Sequence, residues 1–318
     1  MGMELLITGG TGYIGSYLIH VLSRDERVGR IYVLSRSCRD FLANYGDKVK
    51  HVAQDVRDLS GLREKLEAIS PNVVLHLAAA TRGNFEDLLS INVLGTLNIL
   101  EAVRDLPVRL FIFASTAANL YGNAKYKPID EEHPLNPISP YGLSKQMAED
   151  VVRFYARRHD VPALIFRQTN IYGWAPVMKR TLINAFIESA LKKRVLKIFG
   201  TGRQQRNFLH ISDLARYYEA AIFHPKPELL GGQVLNVAGP ETAAVSEVAE
   251  MLKRLLAERY DIEVKIVYED GTRARKHEVY DFPISYEKAR KLLGIEPLIS
   301  LEKGLEMELE RVLSEGST

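Results

Sequence analysis

The sequence predicts an α/β protein: a Rossmann-type, doubly wound parallel sheet with a smaller, interleaved C-terminal α+β substrate domain. Three observations carry that reading. Strand-like and helix-like segments alternate through the first half of the chain, the strand-like runs are continuously apolar, and a glycine-rich turn joins the first strand to the first helix. Strands covered on both faces lose the apolar–polar alternation of a half-exposed sheet. Repeated β-α-β units with right-handed crossovers then give a parallel sheet with helices on both sides.

The elements follow in order. "ELLIT" (4–8) is a strand, "GYIGSYLIHVLSR" (12–24) a helix and "RIYVLS" (30–35) the next strand. "VKHVA" (49–53), helical 59–69, "NVVLHLA" (72–78), a long helix within 85–106 and "VRLFIFAS" (108–115) continue the alternation. After the proline-rich loop 133–140, Ser139 reads as an N-cap with Pro140 at the first helical position, opening a helix to about His159. "PALIFRQ" (162–168) is a further strand. Beyond Trp174 the rhythm breaks, with helical 177–194, a short strand at 195–199 and the glycine-flanked 199–208. Residues 211–223 and 232–239 read as a helix and a last strand returning to the first sheet, and 240–318 as helices around one strand at 264–269. The expected division is therefore 1–173 plus 208–239 for a dinucleotide-binding domain, and 174–207 plus 240–318 for a substrate domain.

Composition narrows the functional classes. Lys and Arg total 42 against 40 for Asp and Glu, with no block of like charge, so neither nucleic acid nor a membrane surface is indicated as partner. The single cysteine, Cys38, excludes an internal disulfide and a cysteine-rich metal site and fits a reducing cytoplasm. Eight histidines without HxxxH or HxH spacing argue against a metal. Met1 leads directly into an apolar strand, which reads as no signal peptide, and no apolar run is long enough to span a bilayer.

The turn "TGGTGYIG" (8–15) places Gly9, Gly12 and Gly15 at G-x-x-G-x-x-G spacing between strand and helix. The first glycines allow a tight turn and close approach to a pyrophosphate, and Gly15 allows close helix packing. Tyr13 and Ile14 open the helix whose free N–H groups face the phosphates. Twenty residues after Gly15 such sites normally carry an acid on the adenosine ribose, yet Ser35 and Arg36 stand there, with Arg39 nearby. A 2′-phosphate would be repelled by an acid and gripped by a guanidinium, so these residues predict NADP, with NAD second.

Tyr141 and Lys145 in "YGLSK" (141–145) are four apart and share a helical face. A tyrosine is a poor base at neutral pH. A nearby ammonium is expected to stabilise its phenolate while also holding the nicotinamide ribose. Thr116, at the end of the preceding strand, offers a hydroxyl to a substrate oxygen.

With these residues the chain resembles the extended short-chain dehydrogenase/reductases, particularly nucleotide-sugar epimerases of the UDP-galactose 4-epimerase type. The resemblance spans nearly the whole chain, through "TGGTGYIG", "QDVRD" (54–58), "LHLAAA" (75–80), "SINVLGTLNIL" (90–100), "SPYGLSK" (139–145), "RQTNIYG" (167–173), "GTGRQQRNFLHISD" (200–213) and "LNVAG" (235–239). It implies that Asp55 and Val56 contact the adenine, that Ala78, Ala79 and Ala80 line the cofactor and that Asn92 supports the active-site helix. It makes Thr116, Tyr141 and Lys145 the catalytic set. It also implies that Asn170, Arg206 and Arg275 grip the diphosphate of a sugar nucleotide, with Thr81, Arg82 and Trp174 near the sugar. A homodimer through the catalytic-tyrosine helix and its predecessor is a further implication.

Within that family, 4,6-dehydratases carry an Asp-Glu pair directly after the catalytic threonine, where Ala117 and Ala118 stand here. Bifunctional 3,5-epimerase/reductases use a Cys–His pair in the substrate region, whereas Cys38 lies in the cofactor half. The expectation is a nucleotide-sugar 4-epimerase, with two alternatives: an NADPH-dependent 4-keto-sugar-nucleotide reductase, or a non-catalytic NADP-binding sensor or scaffold.

Overall fold

The computed structural model describes residues 2–269 and 279–315. Chain order runs β1 (Met3–Thr8), α1 (Tyr13–Leu22), β2 (Val28–Ser35), β3 (Val49–Ala53), α2 (Leu59–Ile69), β4 (Val73–His76), α3 (Phe85–Leu88), α4 (Gly95–Val103) and β5 (Leu110–Thr116). It continues with α5 (Ala118–Tyr121), α6 (Pro140–Arg158), β6 (Ala163–Gln168), β7 (Asn170–Tyr172), α7 (Leu182–Lys193), β8 (Val195–Phe199) and β9 (Gln205–His210). The last elements are α8 (Ile211–Ile222), β10 (Val234–Val237), β11 (Thr242–Ala244), α9 (Val245–Tyr260), β12 (Lys265–Glu269), α10 (Glu287–Leu293) and α11 (Leu301–Glu315).

Seven strands form the main sheet in the order β10-β6-β5-β4-β1-β2-β3, and every neighbouring pair is parallel. The two-residue period of a strand explains why its sequence is apolar throughout. Leu5, Ile7, Val73, Leu75, Leu110 and Ile112 face one side, where they pack with α1 and α8. Leu6, Val74, Phe111 and Phe113 face the other, against α2, α4 and α6. Leu62 and Leu66 of α2 are fully buried there, each stabilising the fold by about 2 kcal/mol relative to exposure. Strand order reverses between β1 and β4, and ligands of open α/β sheets bind in the crevice at such a switch point, beyond the carboxyl ends of the strands.

A third apolar cluster joins α7, α9 and α11 with β8 and β9. Beside it lie a three-stranded sheet, β11-β9-β7, and a two-stranded one, β12-β8. The expected returns to the main sheet are found in α8 and β10. No helix among the described residues is long and apolar enough to cross a membrane.

Several expectations need correction. The helix expected within 85–106 is broken into α3, a π-helical segment Leu89–Leu94 and α4. The helix expected from 177 begins only at Leu182, because the Thr181 side chain accepts from Asn184 N and caps it there. β4 ends at His76 rather than 78, and a 3-10 segment, Asp40–Lys48, precedes β3. β7, β9 and β11 are additional strands.

Candidate active site

The glycine turn closes the carboxyl end of β1. Gly9 has φ +69°, and a Cβ there would lie 2.7 Å from Ala78 N, so the turn sits directly against the chain leaving β4. A Cβ on Gly15 would lie 2.5 Å from both Gly10 Cα and Gly9 O. Gly15 therefore lets α1 close on its own loop, a tighter requirement than the helix–sheet packing expected. Gly12 occupies the N-cap without any side-chain cap, which leaves the first-turn N–H groups of Tyr13 and Ile14 without an intrahelical acceptor. Tyr13 donates its hydroxyl to Gly173 O at 2.7 Å, tying the turn to the segment after β7. These features fit the pyrophosphate of a dinucleotide.

Ser35 ends β2, but its hydroxyl is already engaged: it donates to Ser37 O at 2.9 Å and lies 3.0 Å from His51 Nε2. Arg36 and Arg39 are exposed. Asp55 pairs with Arg57 at 2.7 Å. Its carboxyl is held below the usual range, first by the Arg57 hydrogen bond and least by the Arg36 guanidinium. Val56 is buried and would meet any Cβ at position 95, so it fixes Gly95 at the start of α4.

Thr8 Oγ1 lies 2.7 Å from His76 Nδ1, and His76 Nε2 lies 3.0 Å from Thr96 Oγ1. Ala78 N donates to the same Thr8 oxygen at 3.2 Å. Burial, helped by Lys145, pushes His76 down to about 3, so the ring is neutral. Asn92, buried in the π-helical segment, accepts from Ala80 N at 2.8 Å and donates to Ala80 O and Ser144 Oγ, each at 2.9 Å. It thereby clasps the chain after β4 to α6. Ala78 and Ala80 are half-buried, Ala79 is exposed, and Thr81 and Arg82 follow on the exposed loop.

α6 starts as expected: Ser139 Oγ accepts from Gly142 N at 3.0 Å, with Pro140 in the first turn. Tyr141, Lys145 and Glu149 follow at four-residue spacing along its inner face. Lys145 is 2% exposed, with its Nζ 3.8 Å from the centroid of the Phe113 ring. Burial pulls it down to about 7, with Glu149 opposing the shift. Burial also pushes Tyr141 up to about 12. This corrects the expectation that Lys145 alone would bring the phenol down: in the protein by itself, desolvation dominates. Thr116, at the end of β5, pairs in register with Gln168 on β6.

Asn170 on β7 and Arg206 on the adjacent β9 stand on one small sheet. Asn170 Nδ2 donates to Asn207 O at 3.2 Å, and Arg206 Nη1 to Gln205 O at 2.7 Å. Arg275 lies outside the described residues. Trp174 is directed elsewhere than expected, packing edge-on against His20 of α1 with ring centroids 5.3 Å apart, in a groove of about 620 Å³ shared with Phe41 and Tyr45. Among the described residues no group of His, Cys, Asp and Glu could hold a metal ion.

Sequence reasoning missed Thr8, His76, Ser144, Ser115, Glu149 and Arg167. Their only signal was polarity in otherwise apolar strands or on an inner helix face.

A doubly wound parallel sheet with a glycine turn at its switch point defines a Rossmann-type α/β protein. The chain belongs to the NAD dependent epimerase/dehydratase family, whose sequence profile it matches over residues 5–238. It is 32% identical over 308 residues to a putative UDP-glucose 4-epimerase of Methanocaldococcus jannaschii, covering 95% of each chain. Among solved structures it is similar to a UDP-glucuronic acid 4-epimerase from Bacillus cereus in complex with UDP-glucuronic acid and NAD, with 26% identity and a TM-score of 0.85, covering 98% of this chain and 100% of that one. It is likewise similar to a UDP-glucose 4-epimerase with UDP-glucose from Thermotoga maritima, with 27% identity and a TM-score of 0.85, covering 98% and 99%.

Proposed function

We propose that the protein is a nucleotide-sugar 4-epimerase acting on a UDP-hexose, with a nicotinamide dinucleotide held through the catalytic cycle. The observation that carries this reading is the pair Tyr141 and Lys145 on the inner face of α6, packed against the strand that ends in Thr116. Membership of the family and the names of the three relatives support it. Ala117, fully buried, and Ala118 supply no second acid or base after Thr116, which favours epimerisation over dehydration.

Gly9, Gly12 and Gly15, with the free N–H groups of Tyr13 and Ile14, would receive the pyrophosphate. Asp55 and Val56 would hold the adenine end, and Ala78 to Ala80 the nicotinamide side. Bound in its oxidised form, the dinucleotide would supply a reversible hydride acceptor. Tyr141 takes the proton of the sugar 4-hydroxyl and later returns it to the 4-oxygen of the inverted product. Thr116 donates a hydrogen bond to that oxygen. Protonated Lys145 opposes the burial that raises the Tyr141 phenol. Asn170 and Arg206, with Arg275, grip the diphosphate so that the sugar can turn over while its nucleotide stays bound. Thr81 lies beside the sugar.

We take the dinucleotide to be NAD rather than the NADP that Ser35 and Arg36 first suggested. The Bacillus cereus relative contains NAD, and the Ser35 hydroxyl is occupied within the protein. Exposed Leu94, Leu143, Met147 and Phe154 support the homodimer implied by the resemblance, through the face carrying α6 and its predecessor. The cytoplasmic and galactose assignments rest on the sequence reading alone.

One observation favours a second reading: exposed Arg36 in place of an acid suits an NADPH-dependent 4-keto-sugar reductase. Two measurements separate the two. Denaturing the freshly purified protein should release stoichiometric NAD⁺. The intact protein, with no dinucleotide added, should convert UDP-glucose or UDP-glucuronate into a mixture of C4 epimers, and Tyr141→Phe should abolish that conversion. An empty protein that instead consumes NADPH with a 4-keto sugar nucleotide would overturn the epimerase reading. Turnover unaffected in Y141F would remove Tyr141 from the chemistry, and a wild-type protein that binds dinucleotide without converting any sugar nucleotide would return the fold to a binding role.

A further inference from the structure

Beneath the catalytic face of α6 lies a buried charge cluster that the reaction as drawn does not use. Glu149, fully buried, is one turn beyond Lys145. Its carboxylate accepts from Ser115 Oγ at 2.5 Å. It also accepts from Arg167 Nε at 3.1 Å and from Arg167 Nη2 at 2.7 Å. Arg153, on the solvent side, adds a bond at 3.1 Å.

Arg167 is 1% exposed, and its remaining reach goes to the Tyr121 hydroxyl at 2.8 Å and Glu131 O at 3.2 Å. Ser115 and Arg167 are register partners on β5 and β6, one residue before Thr116 and Gln168. The clamp is therefore built into the same two strands that end at the site.

An arginine fork fixes a carboxylate in position and keeps it ionised. A buried ion pair with nothing else to hold is weak evidence for stability, since apolar replacement often does as well. This pair has something else to hold. Lys145 forms no ion pair among the described residues; its ammonium rests on the Phe113 ring, and Glu149 is the anion whose field raises its proton affinity. The other titratable groups facing Lys145 offer no negative charge. His76, behind Phe113, is neutral, and Tyr141 is a protonated phenol. Arg167 and Arg153 are cations that turn toward Glu149.

We propose that Glu149 is the buried counter-ion of Lys145, clamped by Arg167 and Ser115, and that it is a positioning residue which keeps Lys145 charged for Tyr141. The role rests on the catalytic reading of Tyr141 and Lys145, but the charge of Lys145 can be read independently of any turnover.

The test is an NMR titration of protein labelled at lysine ε-carbons and stripped of dinucleotide, with the Lys145 resonance assigned by its loss in Lys145→Met. In Glu149→Gln the titration midpoint of Lys145 should fall by about one pH unit or more. In Ser115→Ala, which keeps the charge, it should stay within a few tenths of a unit. Should Glu149→Gln fail to fold with Arg167 left unpaired, the double variant Glu149→Gln, Arg167→Met is compared with Arg167→Met alone, and its Lys145 midpoint should lie about one pH unit or more below that of the single variant. A Lys145 midpoint that does not fall in Glu149→Gln against wild type, or in the double variant against Arg167→Met, would overturn the proposal, whatever its effect on stability.

In the epimerisation assay Glu149→Gln should lower kcat about ten-fold at neutral pH and shift the alkaline limb of the profile to lower pH, with KM for the nucleotide sugar nearly unchanged. A rate loss without that shift is the mark of a purely structural role. Failure of the chain to epimerise any sugar nucleotide would leave the NMR result standing and strike only the catalytic reading.

Discussion

Replacing Lys145 by methionine should stabilise the fold while destroying its activity, and the size of the gain can be worked from the structure. Burial pulls this lysine from its ordinary 10.5 to about 7, which at about 1.4 kcal/mol per pH unit amounts to about 5 kcal/mol of unfavourable charge burial below neutrality. Loss of the Phe113 contact in the variant removes a desolvated cation–π interaction worth about 2 kcal/mol, leaving a net gain of about 3 kcal/mol. The pH dependence carries a definite sign. The folded chain releases the proton near 7 and the unfolded chain near 10.5, so between those values the unfolded state binds more protons and wild-type stability rises with pH. From pH 7 to pH 9 that rise is about 2 kcal/mol from this group alone. Urea unfolding of dinucleotide-free wild type and K145M at both pH values measures it. The variant should lead at pH 7, and its lead should shrink at pH 9. A variant less stable than wild type at pH 7, or one whose lead does not change with pH, would refute the assignment of Lys145 as a costly buried cation.

Other perturbations follow from the same geometry. Gly15→Ala drives a methyl into the Gly9 and Gly10 backbone, so stability should fall by about 1–3 kcal/mol and retained dinucleotide should be lost on purification; thermal melting and the absorbance of the denatured protein report both. Arg36→Ala should leave NADH binding within about three-fold, by calorimetry; a loss of about ten-fold or more confined to NADPH would mean that Arg36 meets a 2′-phosphate and would favour the reductase reading. Lys179 is exposed to solvent yet drawn below the usual lysine range, first by partial desolvation and then by the Arg82 guanidinium, and neither side chain forms an ion pair among the described residues. A sugar carboxylate would relieve that repulsion, so Lys179→Met should lower kcat/KM for UDP-glucuronate about ten-fold more than for UDP-glucose. Equal losses on both substrates would place the pair away from the sugar.

The parts of this fold that could be read in the sequence are those in which one residue pattern has one physical consequence. Continuous apolar runs such as "ELLIT" and "ALIF" must be covered on both faces, and β1 and β6 are interior strands of the main sheet. The Ser139–Pro140 pair admits little but a helix start, and α6 begins there. The three-stranded sheet eluded the same reading because β7 and β11 are three residues each, too short for a period to appear, and β9 exists through its partners rather than its own pattern. The helix expected within 85–106 failed for a different reason. Its apolar spacing is helical, but the extra turn width at Leu89–Leu94 accompanies an Asn92 whose amide reaches both Ala80 and Ser144, and contacts so distant in sequence leave no local trace.

The active site divides along the same line. Gly9, Gly12, Gly15, Tyr141 and Lys145 announce themselves because their chemistry is local: a turn that excludes side chains, and a helical face bearing two reactive groups. What tunes those groups is not local. Glu149 by itself resembles one more surface acid on an amphipathic helix, and Arg167 one more polar strand end. Only the parallel pairing of β5 with β6 brings Ser115 and Arg167 onto the carboxylate, and only the packing of α6 on that pair turns three ordinary polar residues into a buried charge beside Lys145. The same packing explains why the expected depression of the Tyr141 phenol is absent in the protein alone. Desolvation acts on Tyr141 and Lys145 together, raising one and lowering the other. Any working base at Tyr141 therefore needs the lysine to keep its proton against its own burial. That requirement makes the charge of Glu149, rather than the spacing of Tyr141 and Lys145, the feature on which the activity of the pair depends.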